Sequence, residues 1–274
     1  MVAHAPEMAN EGGGFKAAYF AELFRLEEAH FWFRARNELI LWALRTFMPH
    51  ARNFLEVGCG TGYVLSGIAT ARPGIALSAS EIFVEGLYHA RQRVPTAQFM
   101  QMDARRMPLA GEYDAIGAFD VLEHIEEDAA VLTQVHKALK PGGILILTVP
   151  QHPWLWSASD EYACHVRRYT RGDIERKVRE AGLELVKSTS FVTTLLPVMM
   201  LSRALQKRNK HTFDAAKELD INPVLNRVFY SLMKTDIAGI KLGLSYATGG
   251  SRLIVARKPS DAGTFSSNKT SEPV

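Results

Sequence analysis

The spacing of hydrophobic positions changes near Pro49. Before it, apolar side chains recur every three to four residues over 15–48, which predicts helix. After it, short apolar runs alternate with amphipathic stretches, and a sharp turn is predicted at 141–143. Strands are predicted at 53–57, 75–80, 97–102, 113–119, 144–149, 183–191 and 251–257, and helices at 63–72, 83–93, 126–139 and 171–181. This alternation is typical of an α/β fold with a mostly parallel sheet covered by helices on both faces.

A long insertion, 192–250, separates the last two predicted strands. It starts with the apolar stretch "FVTTLLPVMML", which Thr193, Thr194 and Pro197 interrupt, and basic residues follow. A membrane-spanning helix needs about 20 mostly apolar residues, so a span is not expected. Two interpretations stay open: a helical cap over a pocket, or peripheral membrane contact through 192–211, because an apolar face with a basic flank suits an anionic surface.

Composition sets broad limits on the rest of the chain. An apolar fraction of 47% and a charged fraction of 22% over 274 residues predict one soluble domain over 15–258, with N-terminal helices in 15–50. The polar segments 1–14 and 259–274 are expected to be disordered tails. A net charge of +3 is too small to indicate a nucleic-acid partner.

Cysteine usage and the N-terminus favour a cytoplasmic location. Cys59 and Cys164 lie far apart, and neither belongs to a CxxC pair, so no disulfide framework is predicted. Residues 1–14 lack the pattern of a secretory signal. No metal is expected either, since His152, Asp160 and His165 do not have the spacing of a common metal site.

The segment "FLEVGCGTGYVL", 54–65, places glycines directly after a predicted strand. Glycine lets the main chain approach a ligand without a Cβ clash. The spacing differs from the dinucleotide GxGxxG, and no Lys-Ser/Thr pair follows as in a P-loop. Glu56, just before the glycines, would repel a pyrophosphate and attract a cation or an amine.

Four further motifs follow this loop in order. They are "LSASEI", "FMQMDARRMPL", "EYDAIGAFDVLEHIEE" and "ALKPGGILILTVP". Together with "LEVGCGTGYVL" they resemble the class I S-adenosylmethionine-dependent methyltransferases, and the overall pattern resembles the type 11 group. The resemblance covers 53–150.

The resemblance implies a Rossmann-like, seven-stranded sheet in the order 3-2-1-4-5-7-6, with strand 7 antiparallel and the insertion between strands 6 and 7. It also implies S-adenosylmethionine as cofactor. Glu81 would then accept hydrogen bonds from the ribose hydroxyls, and Asp103 would accept one from the adenine amine. The full implied cofactor set is Glu56, Gly58, Cys59, Gly60, Gly62, Glu81, Ile82, Asp103, Ala104, Phe119 and Asp120.

Candidate catalytic residues follow from the need to remove a proton from the methyl acceptor. His124, after the fourth predicted strand, is the first candidate, and His165 and Asp120 are the others. His152 and Glu123 are alternatives to them. The competing interpretation is that His124 packs and caps the next helix.

The acceptor site is expected in the segment 151–170, after the fifth predicted strand. The candidate substrate-binding residues are Trp154, Trp156, Arg167, Arg168 and Tyr169, which combine an apolar wall with charges for an anionic acceptor. The alternative is an ordinary loop that covers the sheet edge. The helical stretch "HFWFRAR", 30–36, is interpreted as a core-facing aromatic stripe, with a helix over a pocket mouth as the alternative.

The function expected from these features is an S-adenosylmethionine-dependent methyltransferase acting on a small molecule. Quinone-ring O-methyltransferases belong to the resembled group, so we expect oxygen methylation of a hydrophobic or lipid-linked acceptor. A nucleic-acid substrate is not expected, because "FDVLEHI" follows strand 4 instead of an NPPY-type motif. An N-methyltransferase using Asp160, Glu161 and Trp154 for an amine, and a non-catalytic cofactor-binding partner, are the alternatives. Peripheral contact at the inner membrane face is compatible with the cytoplasmic expectation.

Gly60→Val is expected to abolish cofactor binding, because the added side chain would occupy the space of the ligand. Calorimetric titration with S-adenosylhomocysteine measures the effect. An unchanged affinity would show that the ligand does not lie against this loop.

Overall fold

Strands at the centre of the molecule form one sheet that positions every candidate site residue. The computed structural model describes residues 1–9, 19–208 and 221–260. The eight strands are β1 (Val2–Ala3), β2 (Asn53–Val57), β3 (Ala76–Glu81), β4 (Gln98–Gln101), β5 (Tyr113–Phe119), β6 (Leu139–Pro150), β7 (Glu184–Phe191) and β8 (Ser251–Arg257).

The strand order is β1-β4-β3-β2-β5-β6-β8-β7, and β8 runs antiparallel to both of its neighbours. The predicted order is confirmed for the seven strands β2 to β8. The eighth strand, β1, was not predicted. It pairs with β4 in parallel, so the expectation of a loose tail over 1–14 is wrong at Val2–Ala3. Residues 10–14 and, in the C-terminal tail, 261–274 lie outside the described residues.

Helices cover both faces of the sheet and extend over its carboxyl edge. They are α1 (Tyr19–Leu26), α2 (Phe31–Phe47), α3 (Tyr63–Ala71), α4 (Val84–Arg93), α5 (Asp128–Ala138), α6 (Ala158–Tyr162), α7 (Arg171–Glu180), α8 (Leu196–Arg208) and α9 (Pro223–Lys241).

The helix predicted over 15–48 is interrupted between α1 and α2. His30 is the N-cap of α2, and its Nδ1 accepts a hydrogen bond from the Trp32 N–H at 3.2 Å. An imidazole cap gives no strong sequence signal, because Ser, Thr, Asp and Asn are the usual N-cap residues.

The turn predicted at 141–143 lies inside β6. Leu139 already pairs with Tyr113 of β5, and the register shifts before Ile144 pairs with Ala115. Gly142 has a left-handed backbone, φ +78°, which allows this irregularity. The strand therefore starts earlier than the aliphatic run that predicted it.

The described part of the insertion is helical, as predicted, and α9 packs against α2. Asn226 of α9 caps α2: its Oδ1 accepts from the Phe31 N–H at 2.7 Å, and its Nδ2 donates to the Ala29 carbonyl at 2.8 Å. One turn further on, the Tyr230 hydroxyl hydrogen-bonds Glu38 of α2. Within the described ranges, no helix combines the length and apolarity needed to cross a membrane.

Two apolar layers enclose the sheet. Phe54 of β2 belongs to the layer packed under α2, α3 and α9, whereas its neighbour Leu55 belongs to the layer under α5 and α7. Alternate side chains of a strand point to opposite faces, so both faces are dry. Buried acids lie at the ends of β2 and β3, at Glu56 and Glu81, and the loops at the carboxyl edge carry the candidate site.

Candidate active site

The glycine loop between β2 and α3 adopts a left-handed backbone at each of its glycines. The φ values are +66° at Gly58, +52° at Gly60 and +75° at Gly62. A Cβ on Gly58 would lie 2.5 Å from Val121 and one on Gly62 2.8 Å from Ala90, so packing within the protein already requires glycine there. The nearest atom to a Cβ on Gly60 is 3.7 Å away, on the Phe20 ring. That distance is an ordinary van der Waals contact, so the left-handed backbone is what favours glycine at this position.

Glu56, at the end of β2, is buried beneath this loop. One carboxyl oxygen, Oε2, has no hydrogen-bond partner among the described residues. Burial raises the pKa of Glu56 to about 8, although the nearby Arg36 guanidinium opposes the shift. An unpartnered buried carboxyl is costly, and a bound cation or amine would stabilise its charged form.

Glu81, at the end of β3, links the glycine loop to the neighbouring strand. Its Oε2 accepts from the Gly60 N–H at 3.0 Å, and its Oε1 accepts from the Ile82 N–H at 2.8 Å. Burial raises the pKa of Glu81 despite these hydrogen bonds. Cys59, beside it, is buried, and its N–H donates to the Ser80 carbonyl at 2.9 Å.

Asp103 follows β4 and is ion-paired with Arg105. The Arg105 Nε lies 3.0 Å and 3.1 Å from the two carboxylate oxygens of Asp103. Partial burial raises the pKa of Asp103, but the hydrogen bonds from Arg105 outweigh it, and the net pKa lies below its ordinary value. Ala104 lies between these two residues and is half-buried. Glu81, Ile82, Asp103 and Ala104 thus meet at the ends of neighbouring strands, as the sequence predicted.

Asp120 follows β5 with a left-handed backbone, φ +56°, and its carboxylate pairs with the Arg36 guanidinium from α2. The same carboxylate accepts from the Thr148 hydroxyl at 3.1 Å. The Arg36 guanidinium also stacks 4.4 Å from the Trp32 ring. Arg36 and Thr148 thus occupy the Asp120 carboxylate, and its catalytic role stays a prediction. Phe119, also predicted at the cofactor, has its side chain in the core.

A cavity of about 500 Å³ begins at Asp120 and extends under α2 and the insertion. Its apolar lining includes Phe31, Trp32, Phe33, Leu195, Val198, Met199 and Phe229. Its polar lining includes Asp120, Glu123, Ser159, Asp160, His165, Arg168 and Arg203. The alternative interpretation of "HFWFRAR", a helix over a pocket, is therefore correct for the aromatic residues of this stretch.

Most of the predicted substrate-binding residues lie elsewhere. Among the described residues, the cavity lining includes Arg168 but not Trp154, Trp156, Arg167 or Tyr169. Trp154 is 51% exposed, Trp156 contacts Glu161, Arg167 pairs with Glu126 and Asp128, and the buried Tyr169 hydroxyl donates to Asp128 at 2.7 Å. The donors of Arg168 reach the Gln151 and Gly250 carbonyls and Asp160. These residues stabilise the loop that positions the site.

His165 and Asp160 form a hydrogen-bonded pair in the cavity wall. His165 Nδ1 lies 2.9 Å from Asp160 Oδ1, and Arg168 Nη1 donates to the same oxygen at 2.8 Å. Burial raises the pKa of Asp160, but His165 and Arg168 outweigh this, so its pKa stays below the ordinary value. Because a carboxylate only accepts, the His165 proton belongs on Nδ1, which leaves Nε2 as a proton acceptor.

Glu123 and His124 lie behind His165. The Glu123 side chain is fully buried, and neither carboxyl oxygen has a hydrogen-bond partner in the described chain. Burial, together with the Asp120 charge, raises its pKa. Burial lowers the pKa of His124 to about 3. His124 is outside the cavity lining described above. Of the predicted histidines, His165 is the one in the described cavity lining.

Ligand atoms of Glu123, His124 and His165 lie within 4.8 Å of one another, a spacing that a metal ion could bridge. This set differs from the His152, Asp160 and His165 combination considered from the sequence. His152 instead lies 2.8 Å from the Thr248 hydroxyl and stacks on Trp154.

Backbone strain is concentrated around the same edge of the sheet. The non-glycine residues with left-handed backbones in the described chain are Asp120, His152, Cys164 and Val192. Asp120 and Val192 line the cavity, and the other two lie in the loop that carries His165. Such conformations cost about 1–3 kcal/mol each and are concentrated at functional sites.

Arg36 and Asp160 are the functional residues that sequence reasoning missed. Asp160 was considered only for an amine pocket or a metal. Arg36 lies in the flagged aromatic and basic stretch, but its carboxylate partner is 84 residues away. Alternating aromatic and basic residues on one helix were the available signal for it.

Comparisons with known proteins agree with this geometry. A family model described as "Methyltransferase domain" matches residues 24–188. A probable S-adenosylmethionine-dependent methyltransferase of Mycolicibacterium smegmatis is 29% identical, with 58% of this chain and 62% of that protein covered. A ubiquinone biosynthesis O-methyltransferase of Pseudomonas aeruginosa is 26% identical over 49% of this chain and 65% of its own length. The chain thus spans less than two thirds of the length of these curated relatives.

Solved structures show the same fold. The [4+2]-cyclase SpnF has a TM-score of 0.56 and 21% identity, with 84% of each chain covered. Phosphoethanolamine N-methyltransferase 2 of Haemonchus contortus, in complex with S-adenosyl-L-methionine, has a TM-score of 0.55 and 18% identity, with 82% of this chain and 53% of that chain covered.

The affinity for S-adenosylhomocysteine is expected to rise with pH up to about 8, the pKa of Glu56. Below this pH the carboxyl is protonated, and binding the ligand's ammonium group requires it to lose that proton, so affinity falls by up to about tenfold per pH unit. Calorimetry at several pH values, in buffers of different ionisation enthalpy, measures both affinity and proton release.

The matched control is Glu56→Gln, which keeps the shape of the side chain but removes its titration. We expect a flatter pH dependence and no proton release near neutral pH in this variant. Equal slopes in the two proteins would contradict the placement of the ammonium group at Glu56.

Proposed function

This chain belongs to the methyltransferase domain family, and we propose that it transfers a methyl group from S-adenosylmethionine to a hydroxyl of a small hydrophobic or lipid-linked acceptor. The observation that supports this proposal is the cavity of about 500 Å³, whose walls are apolar and whose polar end contains the Asp160–His165 pair. Asp120 lines this cavity and follows β5, next to the strand that leads into the glycine loop. Acceptor and cofactor would therefore meet at the ends of β2 and β5.

The residues present fit the cofactor. Glu56 has a buried oxygen with no hydrogen-bond partner among the described residues, which a cationic amine would satisfy. In this proposal Glu81 would contact the ribose and Asp103 the adenine, while each keeps part of its present hydrogen bonding to Gly60 and Arg105. When bound, S-adenosylmethionine supplies a methyl group on a positively charged sulfur, which is already activated for displacement.

His165 would act as the general base. Its Nε2 would take the proton of the acceptor hydroxyl while the oxygen bonds the methyl carbon and the methyl–sulfur bond breaks, which leaves a neutral thioether. Asp160, held by Arg168, keeps the ring in the required tautomer and stabilises the imidazolium that forms. The aromatic wall from α2 excludes water, which favours reaction in a low-dielectric site.

Isotope labelling tests the proposed function directly. The enzyme is incubated with cell extract and S-adenosylmethionine carrying a deuterated methyl group, and mass spectrometry identifies the compound that gains the label. A labelled methyl ether or ester supports the proposal, whereas a labelled amine establishes the N-methyltransferase alternative. No transfer to any compound, with cofactor binding intact, would favour the non-catalytic alternative.

His165→Asn is expected to lower kcat by about 10²-fold or more on the labelled acceptor, because the base is lost. Asp160→Asn should also lower kcat, and should change KM less than kcat, because it disturbs the tautomer of His165. Steady-state kinetics provide the measurement.

His152→Asn is the matched control, because His152 lies in the same segment but bonds Thr248 instead of lining the cavity. Its kcat should stay within about threefold of the parent, a change worth less than 1 kcal/mol. Retention of full activity by His165→Asn would rule out the assigned base.

Peripheral membrane contact through the insertion is the second part of the proposal. On α8, Val198, Met200 and Leu201 are 47%, 49% and 62% exposed, and Val198 also lines the cavity. Val224 and Leu225 at the start of α9 are similarly exposed. An apolar surface continuous with an apolar cavity would let a lipid-linked acceptor enter without crossing water.

Met200→Glu with Leu201→Glu is expected to abolish binding to anionic liposomes, because charged groups oppose insertion of the α8 face. Flotation of the full chain with phosphatidylglycerol-containing vesicles is the assay. Leu242→Glu is the control, because Leu242 is 85% exposed at the opposite end of α9. If the parent chain stays in the soluble fraction, the membrane part of the proposal is wrong.

A further inference from the structure

The first residues of the chain form an edge strand beside the carboxyl end of β4. Val2 and Ala3 pair in register with Met100 and Gln101 of β4, and the His4 N–H donates to the Gln101 carbonyl at 2.7 Å. Both strand residues are exposed, so hydrogen bonding to the sheet edge holds them, not burial of their side chains.

Gln101 then holds the chain where it leaves the sheet. Its side chain is fully buried, and its amide pairs with Ala5 in both directions: Oε1 accepts from the Ala5 N–H at 3.1 Å, and Nε2 donates to the Ala5 carbonyl at 2.7 Å. Nε2 also donates to the Ile82 carbonyl at 2.9 Å. Losing one partner of a buried hydrogen bond is costly, so this amide fixes residue 5 next to the residue that follows Glu81.

The next residues continue over both acids of the nucleoside site. Pro6–Met8 form a turn of 3-10 helix, and the Ala9 carbonyl accepts from the Val84 N–H at 3.1 Å. The Met8 sulfur lies 4.0 Å from Nη2 of Arg105, the residue paired with Asp103. The segment therefore contacts the chain just after Glu81 and just after Asp103.

We propose that residues 5–9 form the outer wall of the adenosine pocket, with the half-buried Met8 side chain packing against the purine. A thioether is polarisable and flexible, and contacts with aromatic rings suit it. Gln101 acts as a positioning residue that holds this wall. The proposal rests on the proposed function, specifically on the assignment of Glu81 and Asp103 to the nucleoside.

Calorimetric titration of the full chain with S-adenosylhomocysteine tests the wall. Met8→Ala should weaken the affinity by about 3- to 10-fold, and Met8→Leu should recover most of the loss because it restores the volume. Val2→Ala is the matched control, since the exposed Val2 side chain lies outside the proposed wall, and its affinity should equal that of the parent.

Hydrogen exchange provides a second measurement. If residues 1–9 had only a structural role, adding the ligand would not change their exchange rates. Peptides covering 1–9 and 54–65 should both exchange more slowly when S-adenosylhomocysteine is bound. Gln101→Leu should remove the ligand-dependent protection of 1–9 while leaving that of the glycine loop in place.

Two outcomes would overturn the proposal, and they differ from each other. If Glu81→Ala weakens binding by about fivefold or more while Met8→Ala binds like the parent, the wall alone is wrong. If both variants bind like the parent and 54–65 gains no protection, the cofactor lies elsewhere, and the proposed function fails together with the wall.

Discussion

Burial of carboxyl groups along one edge of the sheet is the constraint on which the rest of this structure depends. Removing a carboxylate from water costs several kcal/mol unless hydrogen bonds or a cation replace the water. In this chain the cost of burying carboxyl groups is lowered in three ways. Backbone N–H groups hold Glu81, arginines hold Asp120 and Asp160, and Glu56 and Glu123 have raised pKa values, which favour their neutral forms. These three environments determine which carboxyl groups of the site carry a charge.

The arginines that neutralise these acids tie distant parts of the chain to the site. Arg36 comes from α2, which packs against α9 of the insertion and receives its cap from Asn226. Arg168 comes from the loop after β6 and also bonds the Gly250 carbonyl at the start of β8. The insertion and the N-terminal helices are thus part of the site's framework, and a change in either would alter the charge balance at the carboxyl edge.

The two ends of the cavity suit different parts of one reaction. Aromatic and aliphatic side chains from α2, α8 and α9 exclude water, which strengthens electrostatic interactions at the polar end. There, the Asp160–His165 pair offers a proton acceptor next to Glu123, whose burial keeps its pKa high. A neutral carboxyl behind the base avoids adding a second negative charge to a dry site.

Local patterns in the sequence determined the strands, the glycine loop, and the acids at the ends of β2, β3 and β4. The order of the strands followed from the resemblance of the motifs to a known family. Local patterns could do so because periodicity is a local property, and because parallel strands bring their carboxyl ends to one edge. Only the tertiary structure decided that His165 belongs to the described cavity lining while His124, Trp154 and Arg167 do not, and that β1 joins the sheet. Those outcomes depend on contacts between residues far apart in sequence, such as the pairing of Arg36 with Asp120 across 84 positions, and such contacts leave no pattern in the neighbouring residues.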